Sequence, residues 1–312
     1  MKADSPPITT APGTNVAMPA CAHAQGSKPV GIPFLRTASR LTKLPIAALA
    51  TLSAVTGYLL YGRSINQGLA SSSLGVLFMA MGACALNEVQ DRDLDARMAR
   101  TCRRPIPAGT VAPEAAAALG VLLITSGLII LWLQHSPLAA GIGLLAVAWY
   151  NGVYACLKRK QPFAAVPGAL TGALPPVIGW TASGGNPLDP GSFVLAFFFF
   201  MWQVPHFWLL LFQHGDDYAR AGLPSLTRVF SARQLANLSF MWMLVTFASS
   251  LLFPLYGLTS SPWIDLGLLV SGVLLAVRAC HCLRSGSYSP AFRSLNLYGF
   301  FIMALLMADA ML

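Results

Sequence analysis

Acidic residues are scarce in this chain. Asp and Glu account for 11 of 312 residues, and charged residues of both signs for only 10%, against the ~25% usual in soluble domains. So few charges cannot cover a water-exposed fold of this length, which excludes a soluble enzyme or soluble binding module. An export-type start is also lacking: Asp4, Pro6 and Pro7 stand where a secretory signal needs an apolar run, and the segment is not the Arg-rich kind of a transit peptide. Residues 1–40 instead carry Pro6, Pro7, Pro12, Pro19, Pro29 and Pro33 without apolar periodicity. They are expected to be a disordered N-terminal tail, with 41–312 as one transmembrane domain.

What fills the chain is hydrophobic, 55% of all residues. The apolar residues come in blocks near the ~20 needed to cross a bilayer, at about 44–63, 69–87, 114–134, 138–157, 163–182, 192–212, 237–257, 263–282 and 292–311. This pattern predicts an all-α, polytopic membrane protein with nine transmembrane helices in a bundle. The net charge of +9 follows from topology. With the N-terminus cytoplasmic, all of the 20 Lys and Arg except Arg63 fall on one side, as the positive-inside rule requires. Nine spans then leave the C-terminus outside. Nucleic acid is excluded as the reason for the charge; anionic lipid or an anionic substrate is the expected contact. Cys280, His281 and Cys282 have no second ligand pair and read as helix residues, not as a metal site.

Two cytoplasmic loops, at about 88–113 and 213–236, hold six of the eleven acidic residues. The first follows the second span as Asn87-Glu88-Val89-Gln90-Asp91-Arg92-Asp93-Leu94-Asp95. If the helix continues, Asn87, Asp91 and Asp95 form one stripe ~12 Å long, and Arg92 and Asp93 point elsewhere. That length is too great for one ion to touch every member but suits Mg²⁺ bridging carboxylates to a diphosphate. Arg97, Arg100, Arg103 and Arg104 follow at once, as guanidiniums that can hold phosphate oxygens. In the second loop the adjacent Asp216 and Asp217 repel, so a cation is expected beside them, although a helix cap or a solvated pair would also account for them.

The fourth span ends in Tyr150-Asn151-Gly152-Val153-Tyr154 and then Lys158-Arg159-Lys160. Helical spacing puts Tyr150, Asn151 and Tyr154 on one face, which a lipid-facing helix would avoid, so this face is expected to line a cavity. His206 lies inside the sixth span among aromatics. A lone buried histidine is usually structural, but an ionisable group at that depth is a site candidate, and a neutral imidazole can ligate haem iron.

With these segments in view, the chain from about Leu41 to its C-terminus resembles the UbiA-type intramembrane prenyltransferases. The carriers are Asn87 to Asp95 with Arg97 to Arg104-Pro105, Val153-Tyr154 with Lys158-Arg159, and Pro175-Pro176-Val177-Ile178-Gly179-Trp180. Gln203-Val204-Pro205-His206-Phe207-Trp208 and Asp217-Tyr218-Ala219-Arg220-Ala221-Gly222-Leu223-Pro224 complete them. The last three of these segments are similar to the branch whose acceptor is haem. One departure stands at Lys43, after which the family usually has Pro-Arg and this chain has Leu44-Pro45.

The resemblance implies transfer of the farnesyl group of farnesyl diphosphate to a vinyl group of haem B, with Mg²⁺ as cofactor. It implies Asn87, Asp91, Asp95, Asp216 and Asp217 as metal ligands, with Asp91, Asp95, Asp217 and Lys158 catalytic. Substrate-binding roles are implied for Asn87, Arg100, Arg104, Arg159 and His206, joined by Tyr150, Asn151 and Tyr154 from the cavity face. Membrane lipid and a downstream haem A synthase or terminal oxidase assembly are the further expected partners. A multi-pass protein of the bacterial inner (plasma) membrane with a cytoplasmic-side active site is the expected placement. An aromatic acceptor, as in quinone biosynthesis, is the alternative within the family. A transporter would need charges in mid-span, whereas these carboxylates sit at the span ends.

Overall fold

The computed structural model describes residues 34–312 apart from Ser287; the side chains of Phe34, Gln213, Asp216 and Arg220 lie outside the described residues. The first 33 residues of the expected tail also lie outside them. Helix α1 (Phe34–Leu41) crosses the boundary expected at residue 40. Then come α2 (Leu44–Gly62), α3 (Gln67–Asp95), α4 (Pro113–Gln134) and α5 (Pro137–Ala148), which runs through a π turn (Trp149–Tyr154) into α6 (Ala155–Leu157). They are followed by α7 (Ala165–Gly168), α8 (Leu170–Ala182), α9 (Pro190–Arg220), α10 (Ala232–Ser250), α11 (Leu252–Leu255), α12 (Pro262–Ser285) and α13 (Ser289–Met311).

The helix starts follow local chemistry. Pro113, Pro137, Pro190 and Pro262 occupy first-turn positions, where the missing N–H costs nothing. Asn66 and Ser136 cap α3 and α5 by accepting from Leu69 N and Ala139 N, and Ser231 with Gln234 forms a capping box on α10.

Eight of the nine expected spans are helices long and apolar enough to cross a membrane. The fifth differs. It is built from α7 and α8, interrupted after Gly168, and α8 carries Pro175 and Pro176 inside its 13 residues. Pro167, Pro175 and Pro176 remove backbone donors within these two helices, and the 13-residue α8 falls short of the ~20 residues of a full crossing. The two expected acidic loops are also more helical than their composition suggests: α3 reaches Asp95, and α9 reaches Arg220 through a kink at His214.

Backbone contact sets the helix spacing around the fifth segment. A Cβ on Gly179 would stand 1.8 Å from Ala54 O, and one on Gly57 would stand 2.0 Å from Pro176 O, so α2 and α8 touch main chain to main chain. On the other side α9, α12 and α13 bury Leu195, Phe198, Leu268, Leu295 and Ile302 completely. Trp132, Leu133, Trp263 and Leu274 are exposed, as lipid-facing positions should be.

Asp309, fully buried in α13, closes the loop before α12 by accepting from Ser260 N, Ser260 Oγ and Ser261 N at 2.9 to 3.1 Å. Asp309→Ala would strand these donors and is expected to cost about 1.5–3 kcal/mol. A thermal unfolding midpoint in detergent equal to that of the wild type would refute this role.

Candidate active site

Because α3 continues to Asp95, the stripe read from the sequence is real: Asn87, Asp91 and Asp95 are all buried, and all three line one cavity of about 530 Å³. Arg92 and Asp93 point away, their side chains 50% and 79% exposed. Each buried member of the stripe meets a cation from a different element. Lys43 Nζ, at the start of α2, donates to Asn87 Oδ1 at 3.1 Å. Lys158, after α6, pairs with Asp91, as does Arg159 at 3.2 Å. Arg104, from the loop after α3, pairs with Asp95 at 2.6 Å.

The loop carrying Arg104 is folded back onto α3 by two further bonds. Thr101 Oγ1 donates to Asp95 O at 2.9 Å, and Ile106 N donates to the wholly buried Glu88 at 3.2 Å. Arg100 of the same loop lines the cavity, exposed and without an ion pair among the described residues.

Burial draws the ammonium of Lys158 below the usual lysine range, and Asp91 opposes that pull. For Lys43 burial acts in the same direction, reinforced by Arg104. An incoming anion would favour the charged form of both. Lys43 is absent from the site residues expected from sequence. Its backbone is unusual as well: φ is +48°, a left-handed conformation that few residues with a Cβ adopt.

The fourth span brings Tyr150 and Tyr154 to the cavity, their rings stacked at 6.0 Å, and Tyr154 packs on Phe207 at 6.2 Å. Asn151 does not join them. It binds α3 instead, donating to Ala83 O at 3.0 Å and accepting Gln90 Nε2 on its backbone oxygen at 2.9 Å. The cause is the π turn, whose wider i→i+5 repeat rotates Asn151 off the face that α-helical spacing assigns to it.

Arg159 also reaches Gln90 O, so it clasps the end of α3 from outside the cavity lining. His206 lines the cavity, with Trp202 and Gln203 beside it on α9. In the second acidic segment Asp217 is buried but does not line the cavity, whereas its neighbour Tyr218 does. The Asp216 side chain lies outside the described residues. Gln203 and Tyr218 were not expected as site residues; Gln203 is seated against Gly172, where a Cβ would meet its Oε1 at 2.4 Å.

The donor set fits Mg²⁺ of the substrate-assisted kind. Among the described residues no three His, Cys, Asp or Glu side chains converge into a ready cage. Mg²⁺ commonly takes one or two carboxylates and completes its shell with phosphate oxygens and water, and Asp91 and Asp95 supply such carboxylates within a ring of cations. The far wall, with Val76, Met79, Ile178, Phe199 and Met303, is apolar. The cavity thus joins an ionic end to a hydrocarbon end.

The UbiA prenyltransferase family model matches residues 48–305. This chain belongs to the UbiA prenyltransferase family. It is 44% identical over 225 residues to a protoheme IX farnesyltransferase of Geobacter sulfurreducens, covering 70% of this chain and 82% of that protein. Its fold is similar to that of a digeranylgeranylglyceryl phosphate synthase, with a TM-score of 0.73 at 15% identity over 89% of this chain and 98% of that one. It is also similar to that of a UbiA homologue from Archaeoglobus fulgidus bound to GPP and Mg²⁺. There the TM-score is 0.63 at 16% identity, over 88% of this chain and 98% of that one. The chain is therefore a multi-pass membrane prenyltransferase.

Proposed function

We propose that this UbiA-family enzyme transfers the farnesyl group of farnesyl diphosphate to a vinyl group of haem B, with addition of water, giving haem O and diphosphate. The observation that carries the acceptor is the 44% identity to a protoheme IX farnesyltransferase over most of that protein's length. The donor is supported by the buried stripe of Asn87, Asp91 and Asp95 facing a cavity with an apolar far wall.

In this reading Asp91 and Asp95, with Asn87, hold Mg²⁺, which when bound supplies charge neutralisation on the diphosphate. Asp217, with Asp216, keeps the second metal contact that the family resemblance implies, although Asp217 does not itself line the cavity. Lys43, Lys158, Arg100 and Arg104 bind the phosphate oxygens, and Arg159 keeps Asp91 aligned. As the C1–O bond breaks, its electron pair leaves with the diphosphate, and these cations stabilise the charge that develops there. Tyr150, Tyr154 and Phe207 offer ring faces to the allylic cation. The terminal vinyl carbon bonds to farnesyl C1, and water captures the cation left on the adjacent carbon, releasing a proton. The apolar wall holds the farnesyl chain and limits competing water. The ionic end is assigned to the cytoplasmic side of a bacterial plasma membrane, and the product to a downstream haem A synthase or terminal oxidase.

The test is to incubate the purified protein in detergent with haem B, farnesyl diphosphate and Mg²⁺ and to weigh the haem product by mass spectrometry. The expected result is conversion of haem to its hydroxyethylfarnesyl form. Unchanged haem together with prenylation of a hydroxybenzoate acceptor would overturn the proposal.

A further inference from the structure

His206 is held from behind by α13. Its Nδ1 lies 2.8 Å from Asn296 Oδ1, and the Asn296 amide is oriented in turn because Nδ2 donates to Phe292 O at 2.9 Å. The orientation decides the chemistry. Since Nδ2 is committed to a carbonyl, the atom facing the imidazole is the amide oxygen, which can only accept. Nδ1 must therefore carry the proton, and in a neutral imidazole the lone pair is then on Nε2.

The ring has little freedom to turn. Trp202 and Phe292 each stand 5.0 Å from it, at 34° and 41°, and Phe207 meets it edge-on at 5.8 Å. Trp202 is itself tied to α13 through a 3.0 Å bond from Nε1 to Leu295 O. His206, Trp202 and Phe207 line the cavity and Asn296 does not, so the fixed nitrogen faces away and the free one faces in. Nε2 makes no hydrogen bond among the described residues. His206 is only partly buried, and Nε2 is not among the enclosed polar atoms that lack a partner, so this lone pair is open to the cavity. The site also adjoins the prenyl route, because Phe207 stacks on Tyr154 and Lys158 Nζ lies 5.5 Å from the centre of that ring.

We propose that Asn296 is a positioning residue that locks His206 in the Nδ1–H tautomer, presenting the Nε2 lone pair to the cavity as the axial ligand for the iron of the haem acceptor. The ligand role rests on the haem reading above; the tautomer lock rests on geometry alone. A neutral lone pair suits a metalloporphyrin and repels a diphosphate, which separates the acceptor end of the cavity from the ionic end. An N–H bond to a carbonyl-type oxygen raises the basicity of a ligating imidazole, and loss of such a partner commonly lowers metal affinity 10–100-fold.

The test uses ¹⁵N-histidine-labelled full chain in detergent, with the His206 signal assigned by His206→Gln. The wild type should show Nδ1 protonated and Nε2 unprotonated, and ferric haem should give a histidine-ligated spectrum that His206→Gln lacks. Asn296→Leu should lose the tautomer preference and bind haem on the order of 10-fold more weakly, with Mg²⁺-farnesyl diphosphate binding unchanged in the same preparation as proof of folding. Asn296→Asp, whose carboxyl still accepts from Nδ1–H, should restore both signals. A wild-type His206 protonated on Nε2, or an Asn296→Leu variant with unaltered haem spectrum and affinity, would overturn the proposal. If the wild type keeps the Nδ1–H tautomer but takes up no haem, the acceptor reading and the ligand role fall, and the tautomer lock stands.

Discussion

Asp91→Ala is expected to lower prenyl transfer by ~10³-fold or more, the scale of losing a group that stabilises the developing leaving-group charge. Asp93→Ala, two residues away, is expected to stay within about two-fold of the wild type, the usual reach of an isolated surface change. The two carboxylates share one helix and nearly one position in the chain, but not one environment. Asp91 is buried in the cavity wall between Lys158 and Arg159, whereas Asp93 is 79% exposed beside Arg92 at 3.8 Å. Removing Asp91 also leaves Lys158, whose side chain is only 17% exposed, without its carboxylate, so Asp91→Asn, which keeps the shape, is the companion variant. Rates of haem conversion at saturating Mg²⁺ decide the matter. Comparable losses at Asp91 and Asp93, or full activity in Asp91→Asn, would remove the stripe from the chemistry.

That contrast was legible in the sequence because a helix makes position periodic: once α3 is taken to continue, residues four apart share a face and Asp93 falls off it. Arg104 and Lys158 were legible too, as cations close to the acids in the chain or in a basic cluster at a span end. What could not be read was which side chains meet across long stretches of the chain. Lys43 approaches Asn87 across 44 residues through a left-handed turn, and Asn296 approaches His206 across 90. Neither belongs to a local pattern, and Lys43 had already been counted with the basic residues that set topology. Asn151 fails in the opposite way. Its spacing fits the cavity face, but the spacing presumes an α-helix, and the chain makes a π turn there. The fifth span shows the same limit: its hydropathy fits a crossing helix, while the helix breaks after Gly168 and leaves a 13-residue α8 that packs main chain to main chain on α2.

Glycine is where sequence is least informative, and a paired substitution exposes this. Gly179→Ala is expected to destabilise the protein strongly, at or beyond the ~1–3 kcal/mol of an overpacked core, because its new Cβ would fall 1.8 Å from Ala54 O. The obstacle is backbone on both sides, so no rotamer change relieves it, and α2 must move away from α8. That movement reaches the site, since Ala47, Ala50 and Ser53 of α2 and Pro175 and Ile178 of α8 line the cavity. Any folded Gly179→Ala protein should therefore also show weakened prenyl diphosphate binding. Gly141→Ala, in α5 with nothing within 4 Å of the added Cβ, should be neutral or stabilising by up to ~1 kcal/mol through helix propensity. Thermal unfolding of both variants in one detergent makes the comparison. Equal midpoints would mean that α2 and α8 do not meet main chain to main chain, and the apolar wall built on that contact would have to be redrawn.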